Sequence, residues 1–471
     1  MPHPLAPQLP DAGDPNALAA QVWPEGAARI DGALVVGGAS LPAIAAEHGT
    51  PFLLVDEAIV RGRARRIRES FEAAFAAHGG SGVDVYYAGK ALLTAEVVRW
   101  MREEGLRIDV CTGGELALAL AAGAPAEHLG FHGNNKGEAA IERGVAAGVG
   151  TVVLDSPIEV ERVAAAAERA GRVQRVRLRI SVGVHASTHE FLATSHEDQK
   201  FGIAIEDAPA LAARIRELPS LELVGLHTHI GSQIFDHEGF AESARRMLAL
   251  HAELGEAAGA PLPELNLGGG FGIAYTAADS PEPIEAIADR LAASVRARCD
   301  ELGIPVPRIA IEPGRWIVGP AGVTAYEVGT VKPVRVEGGE RRYVSVDGGM
   351  SDNARPALYG AQYSARLANR SSDAEAVLVR VAGHHCESGD IVVDAEWLPA
   401  DVAPGDLLAV ATTGAYCHSL ASNYNLTPRP PVLAVRDGAV RTLVRRETID
   451  DLLARDAGIA ADAQRAREDQ A

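Results

Sequence analysis

The sequence predicts a (β/α)8 barrel of the TIM type followed by an antiparallel β-sandwich or β-barrel domain. Short apolar runs alternate eight times with segments of helical spacing, and this alternation is typical of parallel strands joined by helical crossovers. Polar residues and glycines follow these runs, at the position where the loops of such a barrel build the active site. After about residue 316 the apolar runs continue with few helical segments between them, which is typical of antiparallel sheets.

The eight runs of the predicted barrel are short stretches rich in Val, Ile, Leu or aromatic residues, each long enough for one strand. In chain order they are VDVYYAGK, RIDVCTGG, HLGFHGN, TVVLDS, RVRLRISVGV, LVGLHTHIGS, LNLGGG and RIAIEPGR. Segments such as EVERVAAAAERAG predict the helices between them.

The predicted domain organisation has five parts. We expect a disordered N-terminal tail over residues 1–22 and N-terminal strands over 23–52 that join the β domain, with RIDGALVVGGASL (29–41) as a strand candidate. The barrel then occupies 53–315, the β domain 316–452, and a charged C-terminal tail 453–471.

Composition excludes several classes of protein. A hydrophobic fraction of 47% and a charged fraction of 23% in 471 residues predict a large packed core. A net charge of −19 disfavours nucleic acid and anionic membranes as partners, and no apolar run is long enough to span a bilayer. The absence of CxxC pairs predicts a reduced, cytoplasmic enzyme; the four cysteines are Cys111, Cys299, Cys386 and Cys417.

Two motifs at strand ends could take part in binding a ligand, and each also has a purely structural interpretation. Lys90 follows VYYAG, where it is either a solvated cation or a reactive amine at the mouth of a pocket. Three glycines follow a strand in LNLGGGFG (265–272), where the backbone either approaches a phosphate or makes a tight turn.

Two further strand ends leave alternatives open. His227 and His229 in LHTHIGSQ could hold a metal, or one imidazole could stack on a flat ring while Ser232 binds a phosphate, or both could be core histidines. In IEPGRWIVGP, Glu312 could keep a proton on a ring nitrogen and Arg315 could bind a carboxylate or phosphate, or the two could form a structural salt bridge.

Three predicted loops contain further candidate functional residues. GHHCESGD (383–390) contains Cys386, which is either a buried small side chain or an exposed proton donor. DGGMSDNARPALYGAQY (347–363), with Arg355 and Tyr359, is a long polar connection of the kind that is usually functional. SVGVHASTHEFLATSHEDQKFG (181–202) predicts a lid over the barrel mouth.

Taken together, these motifs resemble the pyridoxal-phosphate-dependent decarboxylases of the alanine-racemase fold type. The resemblance runs from about residue 30 to 440 and is strongest for members that decarboxylate meso-2,6-diaminopimelate to L-lysine and CO2, the last step of bacterial lysine synthesis. Eleven motifs in the family's order carry it: YYAGKA, DVCTGGEL, FHGNNK, GVHASTHEF, HEDQKFG, HTHIGSQI, LNLGGGFGI, EPGR, SVDGGMSDNARPALYGAQY, HHCESGD and GAYCHSLASNYN. His384 and His418 depart from it, since similar proteins often have Lys and Tyr there.

The resemblance implies how pyridoxal 5′-phosphate would be bound. Lys90 would link covalently to the cofactor, His229 would stack on its ring, and Glu312 would pair with the ring nitrogen. Asp109 would lie beside the cofactor, and four residues would hold its phosphate: Ser232, Gly269, Gly270 and Tyr416.

The resemblance also implies the substrate site and the assembly. The distal carboxylate of the substrate would be bound by Arg315, Arg355 and Tyr359, and Tyr416 would be a further substrate-binding residue. Cys386 would be the proton donor and Glu387 would bind the distal amino group, both in the neighbouring subunit's site, so that the active unit is a homodimer with shared active sites. No metal, nucleic acid or membrane is expected as a partner.

The residues match the chemistry that decarboxylation needs. Loss of CO2 from an amino acid leaves a carbanion, which requires an electron sink and then a proton. Lys90, the Gly268–Gly270 turn, Glu312 and Cys386 correspond to an amine, an anion site, a carboxylate for the ring nitrogen and an acid. Three alternatives stay open: a decarboxylase of arginine, ornithine or carboxynorspermidine, a metal hydrolase, and a non-catalytic regulator.

Overall fold

The computed structural model describes residues 5, 6, 9, 12–184, 200–337 and 339–459. The chain divides into two compact units. The barrel unit consists of the described residues of Arg61–Ile273 and Ser280–Ile317. The sheet unit consists of the described residues up to Val60, Ala274–Asp279, and those from Val318 onward. No helix among the described residues is both long and apolar enough to cross a membrane.

The elements of the described residues are numbered along the chain. The strands are β1 (Ala28–Ile30), β2 (Ala33–Val36), β3 (Ala39–Ser40), β4 (Phe52–Asp56), β5 (Val83–Ala88), β6 (Arg107–Val110), β7 (Leu129–Phe131), β8 (Thr151–Leu154), β9 (Gln174–Ser181), β10 (Ile203–Ala204), β11 (Leu221–His227), β12 (Glu264–Asn266), β13 (Arg308–Ile311), β14 (Gly322–Val336), β15 (Gly339–Val346), β16 (Ala365–Leu367), β17 (Ala376–Ala382), β18 (Ile391–Pro399), β19 (Leu407–Ala411), β20 (Val432–Arg436) and β21 (Ala439–Val444). The helices are α1 (Leu41–His48), α2 (Glu57–Ala77), α3 (Ala95–Glu103), α4 (Gly113–Ala121), α5 (Glu138–Ala147), α6 (Pro157–Arg169), α7 (Ala208–Arg216), α8 (Glu238–Ala258), α9 (Ile284–Leu302), α10 (Arg315–Val318), α11 (Arg355–Tyr359) and α12 (Ile449–Leu453).

Eight parallel strands close the barrel, as predicted. β5, β6, β7, β8, β9, β11, β12 and β13 pair in that order, and β13 pairs with β5. Each of the eight predicted runs overlaps one of these strands, and β10 adds a short parallel pairing outside β9. Because all eight strands run in the same direction, the loops that follow them meet at one end of the barrel.

Local sequence signals place the ends of the barrel helices. α3 and α4 begin after Thr94 and Thr112, whose side chains accept hydrogen bonds from the backbone N–H groups of Val97 and Glu115. α8 ends at Gly259 in the left-handed conformation, as many helices do. Between the helices, strands such as β8 are buried along their whole length, which explains their uninterrupted apolar sequence.

The sheet unit is built on the long strand β14. Its first half pairs with β4 and β19, and its second half pairs with β15. The full order is β18-β17-β15-β14-β4-β20-β21, with β16 and β19 beside this path. The pairings are antiparallel, as predicted, except that β4 pairs in parallel with β20 and β15 pairs in parallel with β17.

The N-terminal segment 29–41 does not become a strand of this large sheet. It folds into a separate three-stranded sheet, β1-β2-β3, because Asp31-Gly32 and Gly37-Gly38 adopt the left-handed conformations of tight hairpin turns. Leu34 and Val36 of β2 pack into the same apolar core as β4. The segment therefore joins the sheet unit through side-chain packing and a 2.8 Å hydrogen bond from the Leu34 N–H to the Ala368 carbonyl, and β4 is the strand that pairs with β14.

An ion pair lies inside the barrel. Arg177 Nη2 of β9 lies 2.6 Å from Glu264 Oε2 of β12, and the guanidinium stands 5.2 Å from the centroid of the Tyr86 ring. Arg175 Nη2 contacts the other oxygen of Glu264, also at 2.6 Å. The Arg177 and Glu264 side chains are only 1% and 8% exposed. If one of the two charges were removed, water could therefore not solvate the other.

Replacing Glu264 with Gln should therefore destabilise the barrel. The variant leaves the buried Arg177 charge without its counter-ion, and we expect the free energy of unfolding to fall by about 3–5 kcal/mol. Glu222→Gln is the matched control, because Glu222 is exposed and lies 4.0 Å from Arg175, so its loss should cost less than about 1 kcal/mol. Urea unfolding followed by tryptophan fluorescence measures both, and equal losses would contradict the prediction.

Candidate active site

Four predicted residues of the barrel unit lie at or near the carboxyl ends of its strands. Lys90 follows β5 in a short turn with its side chain exposed, whereas Asp109 of β6 is buried. His229 follows β11, and Glu312 follows β13 directly. Burial, and next the charge of Lys90, lower the pKa of His229 well below its ordinary value, so the amine lies within electrostatic range of this imidazole.

Glu312 is the centre of a buried hydrogen-bond network. Asn266 Nδ2 donates to Glu312 Oε1 at 2.7 Å, and His227 Nε2 lies 3.2 Å from Oε2. His132 Nε2 lies 3.4 Å from Oε1 of the same carboxylate and 3.0 Å from Asp109 Oδ1. The ends of β6, β7, β11, β12 and β13 therefore converge on one carboxylate.

The network keeps Glu312 charged. Burial by itself raises the pKa of Glu312, but the imidazoles of His227 and His132 outweigh it, and the pKa lies well below its ordinary value. Burial lowers the pKa of His132 and that of His227 to about 4. Burial, together with the Glu312 charge, raises the pKa of Asp109 well above its ordinary value. At neutral pH the two imidazoles are neutral and Glu312 is ionised.

The two histidines of the HTH motif have different partners. His227 contacts Glu312, whereas His229 Nδ1 accepts a hydrogen bond of 3.2 Å from the backbone N–H of Gly269. A metal held by the pair was one alternative from the sequence. Within the described part of the chain, the ligand atoms that lie within 4.8 Å of one another belong instead to His132, His227 and Glu312, and both histidines hydrogen-bond or ion-pair with the carboxylate.

The glycine turn after β12 packs closely on the neighbouring strand ends. Gly268 and Gly270 adopt φ angles of +70° and +115°, which favour glycine. A Cβ on Gly269 would overlap the carbonyl oxygen of Glu312, so only glycine lets the turn lie against the end of β13. The backbone of this turn is thereby brought beside His229 and Glu312, where a ligand's anionic group can approach it.

Ser232 and Arg315 lie together in the barrel unit. Arg315 Nη2 donates to Ser232 Oγ at 2.9 Å, and both residues are half-buried. The sequence resemblance assigned Ser232 to a phosphate and Arg315 to a substrate carboxylate. The observed contact places a cation and a hydroxyl at one position, which suits an anion of either kind.

Arg355 and Tyr359 belong to α11 in the sheet unit and differ in exposure. Arg355 is buried, with its guanidinium 4.7 Å from the centroid of the Tyr275 ring and a hydrogen bond of 2.5 Å to the Tyr363 hydroxyl. Tyr359, four residues along, is 64% exposed. The two residues predicted to bind one carboxylate therefore differ: Arg355 is buried against two tyrosine side chains, and the Tyr359 side chain is on the surface.

The other predicted residues of the sheet unit lie in loops. Cys386 and Glu387 are exposed in the loop between β17 and β18. Tyr416, after β19, is half-buried and adopts a left-handed φ of +66°. Because such a conformation is unfavourable for a tyrosine, it indicates that the surrounding loop fixes this backbone.

Sequence reasoning missed two members of the Glu312 network. His132 follows β7 in the same way that the predicted polar residues follow their strands, so that pattern could have identified it. Asn266 is enclosed in the apolar run LNLGGG and gave no signal. The predicted lid, with His185, His189 and His196, lies largely outside the described residues.

The residues of the barrel unit fit pyridoxal 5′-phosphate. An ionised, buried carboxylate suits a protonated ring nitrogen, and among the described residues its side-chain contacts are Asn266, His227 and His132. An amine, a fixed imidazole and a glycine turn lie at neighbouring strand ends. These match the aldehyde, the ring face and the phosphate of that cofactor.

Comparisons with known proteins agree with this geometry. A family model described as "Pyridoxal-dependent decarboxylase, pyridoxal binding domain" matches residues 62–319. The diaminopimelate decarboxylase of Mycobacterium tuberculosis is 50% identical over 444 residues, covering 93% of this chain and 98% of that protein. The diaminopimelate decarboxylase of Bacillus subtilis is 41% identical over 424 residues, covering 90% and 94%.

A solved structure is also similar. The diaminopimelate decarboxylase of M. jannaschii in complex with L-lysine superposes with a TM-score of 0.84 at 30% identity, covering 91% of this chain and 97% of that one. The similarity extends over both units, which the family model alone does not cover.

His132 and His227 should remain neutral throughout the physiological pH range. In cofactor-free protein labelled with [13C]histidine, their resonances should not titrate between about pH 5.5 and 8, because burial holds each pKa at about 4. The signals lost in His132→Gln and His227→Gln variants assign them, and protein unfolded in urea supplies the ordinary titration. A midpoint near 6.5 for either residue in the folded protein would be inconsistent with the network.

Proposed function

Because the chain belongs to the pyridoxal-dependent decarboxylases, we propose that it is an enzyme that uses pyridoxal 5′-phosphate to convert meso-2,6-diaminopimelate to L-lysine and CO2. Its relatives of 50% and 41% identity are diaminopimelate decarboxylases and cover nearly its whole length. We also propose that it acts as a homodimer with shared active sites and in the cytoplasm.

The observation that carries the proposal is the charge state of Glu312. The bound cofactor supplies an electron sink, which is strongest when its ring nitrogen is protonated. A carboxylate with a lowered pKa holds a proton on that nitrogen without taking it, because its own affinity for the proton is low. Asn266 and His227 fix the Glu312 oxygens that would face the nitrogen.

The other barrel residues bind and orient the cofactor. Lys90 provides the amine, and its position at the end of a rigid strand limits where the aldehyde carbon can lie. His229 has its ring orientation set by the Gly269 N–H and presents an imidazole face to the ring. Asp109 helps to bind the cofactor indirectly, because its carboxyl group contacts the His132 imidazole, which in turn contacts Glu312. Ser232, Gly269, Gly270 and Tyr416 hold the phosphate.

The remaining residues select the substrate. Diaminopimelate is zwitterionic at both ends, so its distal end requires a cation and an anion. Arg315, Arg355 and Tyr359 bind the distal carboxylate, and Glu387 binds the distal amino group. A substrate that lacks the distal carboxylate leaves arginines unpaired, and unpaired buried polar groups reduce rates by large factors. Lysine and ornithine are therefore poor substrates.

Cys386 donates the proton that replaces CO2 at the α-carbon. Its exposure in the loop between β17 and β18 supports this role, because the thiol can enter a site formed with another chain. In the proposed homodimer, each site takes Lys90 from one subunit and Cys386 of the partner subunit.

Lys90→Ala should abolish the reaction without unfolding the protein. The chain has four lysines, and the Lys136 amine is already tied to Glu159 at 2.8 Å. We expect production of CO2 and lysine from meso-diaminopimelate to fall by at least about a thousandfold, because the covalent link is lost. Lys332→Ala, an exposed lysine of β14, is the control and should retain full activity.

Borohydride reduction of the wild-type holoenzyme provides an independent measurement. Peptide mapping should find the reduced cofactor on the Lys90 peptide. A tag on any of the other three lysines, or substantial turnover by Lys90→Ala, would refute the assignment.

Mixing two inactive variants should restore activity if the sites are shared. Cys386→Ala alone should slow decarboxylation roughly a hundredfold or more while cofactor absorbance is retained, whereas Cys299→Ala, which changes a buried cysteine of α9, should not. Refolding Lys90→Ala together with Cys386→Ala should recover roughly a quarter of wild-type activity, because half of the dimers carry one intact site. No recovery would place both residues in one chain's site.

A further inference from the structure

Two loops of the sheet unit carry candidate site residues, and a third leads into α11, which carries Arg355 and Tyr359. We name them the arginine loop (347–354, before Arg355), the cysteine loop (383–390) and the tyrosine loop (412–427). They follow β15, β17 and β19. β15 and β17 are parallel neighbours, and both β15 and β19 run antiparallel to β14, so the three strands point in the same direction. The three loops therefore emerge at the same end of their strands.

His385 connects the three loops through its side chain. It lies in the cysteine loop next to the exposed Cys386, but it is only 8% exposed itself. Its Nε2 lies 2.8 Å from Ser351 Oγ in the arginine loop, and its Nδ1 lies 3.1 Å from Asn425 Oδ1 in the tyrosine loop. One imidazole thus contacts both neighbouring loops.

Only one neutral tautomer satisfies both contacts. The Asn425 oxygen can only accept, so Nδ1 carries the proton, and Nε2 then accepts from the Ser351 hydroxyl. A rigid ring with a donor on one side and an acceptor on the other fixes the distance between the two loops. A flexible side chain with a single polar group could not do so.

The backbone around His385 is fixed as well. Asp390 closes the cysteine loop, where its Oδ2 accepts from the His385 N–H at 2.7 Å and its Oδ1 accepts from the Met350 N–H at 2.6 Å. A Cβ on Gly383 would overlap this carboxylate, so the close approach needs glycine there. The arginine and tyrosine loops are also joined directly, by a 2.8 Å hydrogen bond from Ser422 N–H to the Ser351 carbonyl.

The side chain of the neighbouring His384 does not connect the loops in this way. It is exposed, and its polar contact is a long one of 3.4 Å to Thr427 Oγ1, whereas the His384 backbone N–H donates to the Gly348 carbonyl at 3.0 Å. Asn425, by contrast, adopts a left-handed φ of +51°, and such backbone is retained when surrounding contacts determine it. Two adjacent histidines therefore have different roles: one is on the surface and the other is a buried connector.

We propose that His385 is a positioning residue for decarboxylation, whose imidazole fixes the cysteine loop to the arginine and tyrosine loops and so sets the location of Cys386 and Glu387. The proposal rests on the proposed function for its kinetic consequences. A displacement of about 1 Å in a reacting group can cost a hundredfold in rate, and Cys386 is bonded directly to the connector residue.

The kinetic test compares His385→Ala with the matched control His384→Ala in the full-length holoenzyme. For His385→Ala we expect kcat for meso-diaminopimelate to fall roughly tenfold to a hundredfold, while cofactor absorbance and cofactor Kd stay within about twofold of wild type. His384→Ala should match the wild type in all three. Wild-type kcat in His385→Ala, or loss of cofactor in step with rate, would overturn the proposal.

Rescue and coupling separate positioning from general stability. His385→Asn keeps a donor near Asn425 and His385→Gln keeps a polar group near Ser351, so each should recover part of the lost kcat. Ser351→Ala should lower kcat, and adding it to His385→Ala should lower kcat no further, because both remove the same contact. Full additivity, or no recovery in either conservative variant, would count against the connector.

A measurement without substrate makes the outcome independent of the reaction. Hydrogen exchange of peptides covering the cysteine and arginine loops, which contain the His385 and Met350 amides, should accelerate at least about tenfold in His385→Ala and not in His384→Ala. If the wild type fails to decarboxylate meso-diaminopimelate, the proposed function is lost, yet this result still decides whether His385 connects the loops. Equal exchange in the two variants would overturn the inference.

Discussion

A carboxylate that stays ionised inside the barrel is the constraint on which the candidate site depends. Burial opposes the charge of Glu312, so hydrogen bonds from neighbouring strands must offset it. His227 and Asn266 are register partners across β11 and β12, and Asn266 is the partner of Ala310, two residues before Glu312. A slip of one residue in either pairing would turn a donor to the other face of its strand. The strand register is therefore part of the electrostatics of the site.

The sequence predicted the parts of the site that have local signals. The alternation of apolar runs with helical segments identified all eight barrel strands, and it placed Lys90, Asp109 and Glu312 at or near strand ends, where the structure has them. The environment of Glu312 could not be predicted, because it depends on the register of strands far apart in the chain. Asn266 illustrates this: within an apolar run it resembles a core residue, and only the fold brings it to the carboxylate.

The sheet unit was predicted less completely, for a related reason. Its loops were recognisable from glycine and polar residues, but a loop has no periodicity from which the direction of a side chain can be inferred. His384 and His385 are the same residue type in adjacent positions, and one is exposed while the other is buried. Likewise, the 29–41 segment has the composition of a strand. Because it contains two tight turns, it forms a small sheet of its own.

The two units place their candidate site side chains by different physical means. In the barrel unit the Glu312 contacts His227 and Asn266 sit on strands, so changing one disturbs both the charge balance and the buried interior. In the sheet unit Cys386, Glu387 and Tyr416 sit on loops whose geometry depends on side-chain hydrogen bonds and on strained backbone such as that of Tyr416. Loop residues can change with little effect on a sheet core. A chain built in this way can change residues of these loops while the contacts of Glu312 remain fixed by the strand ladder.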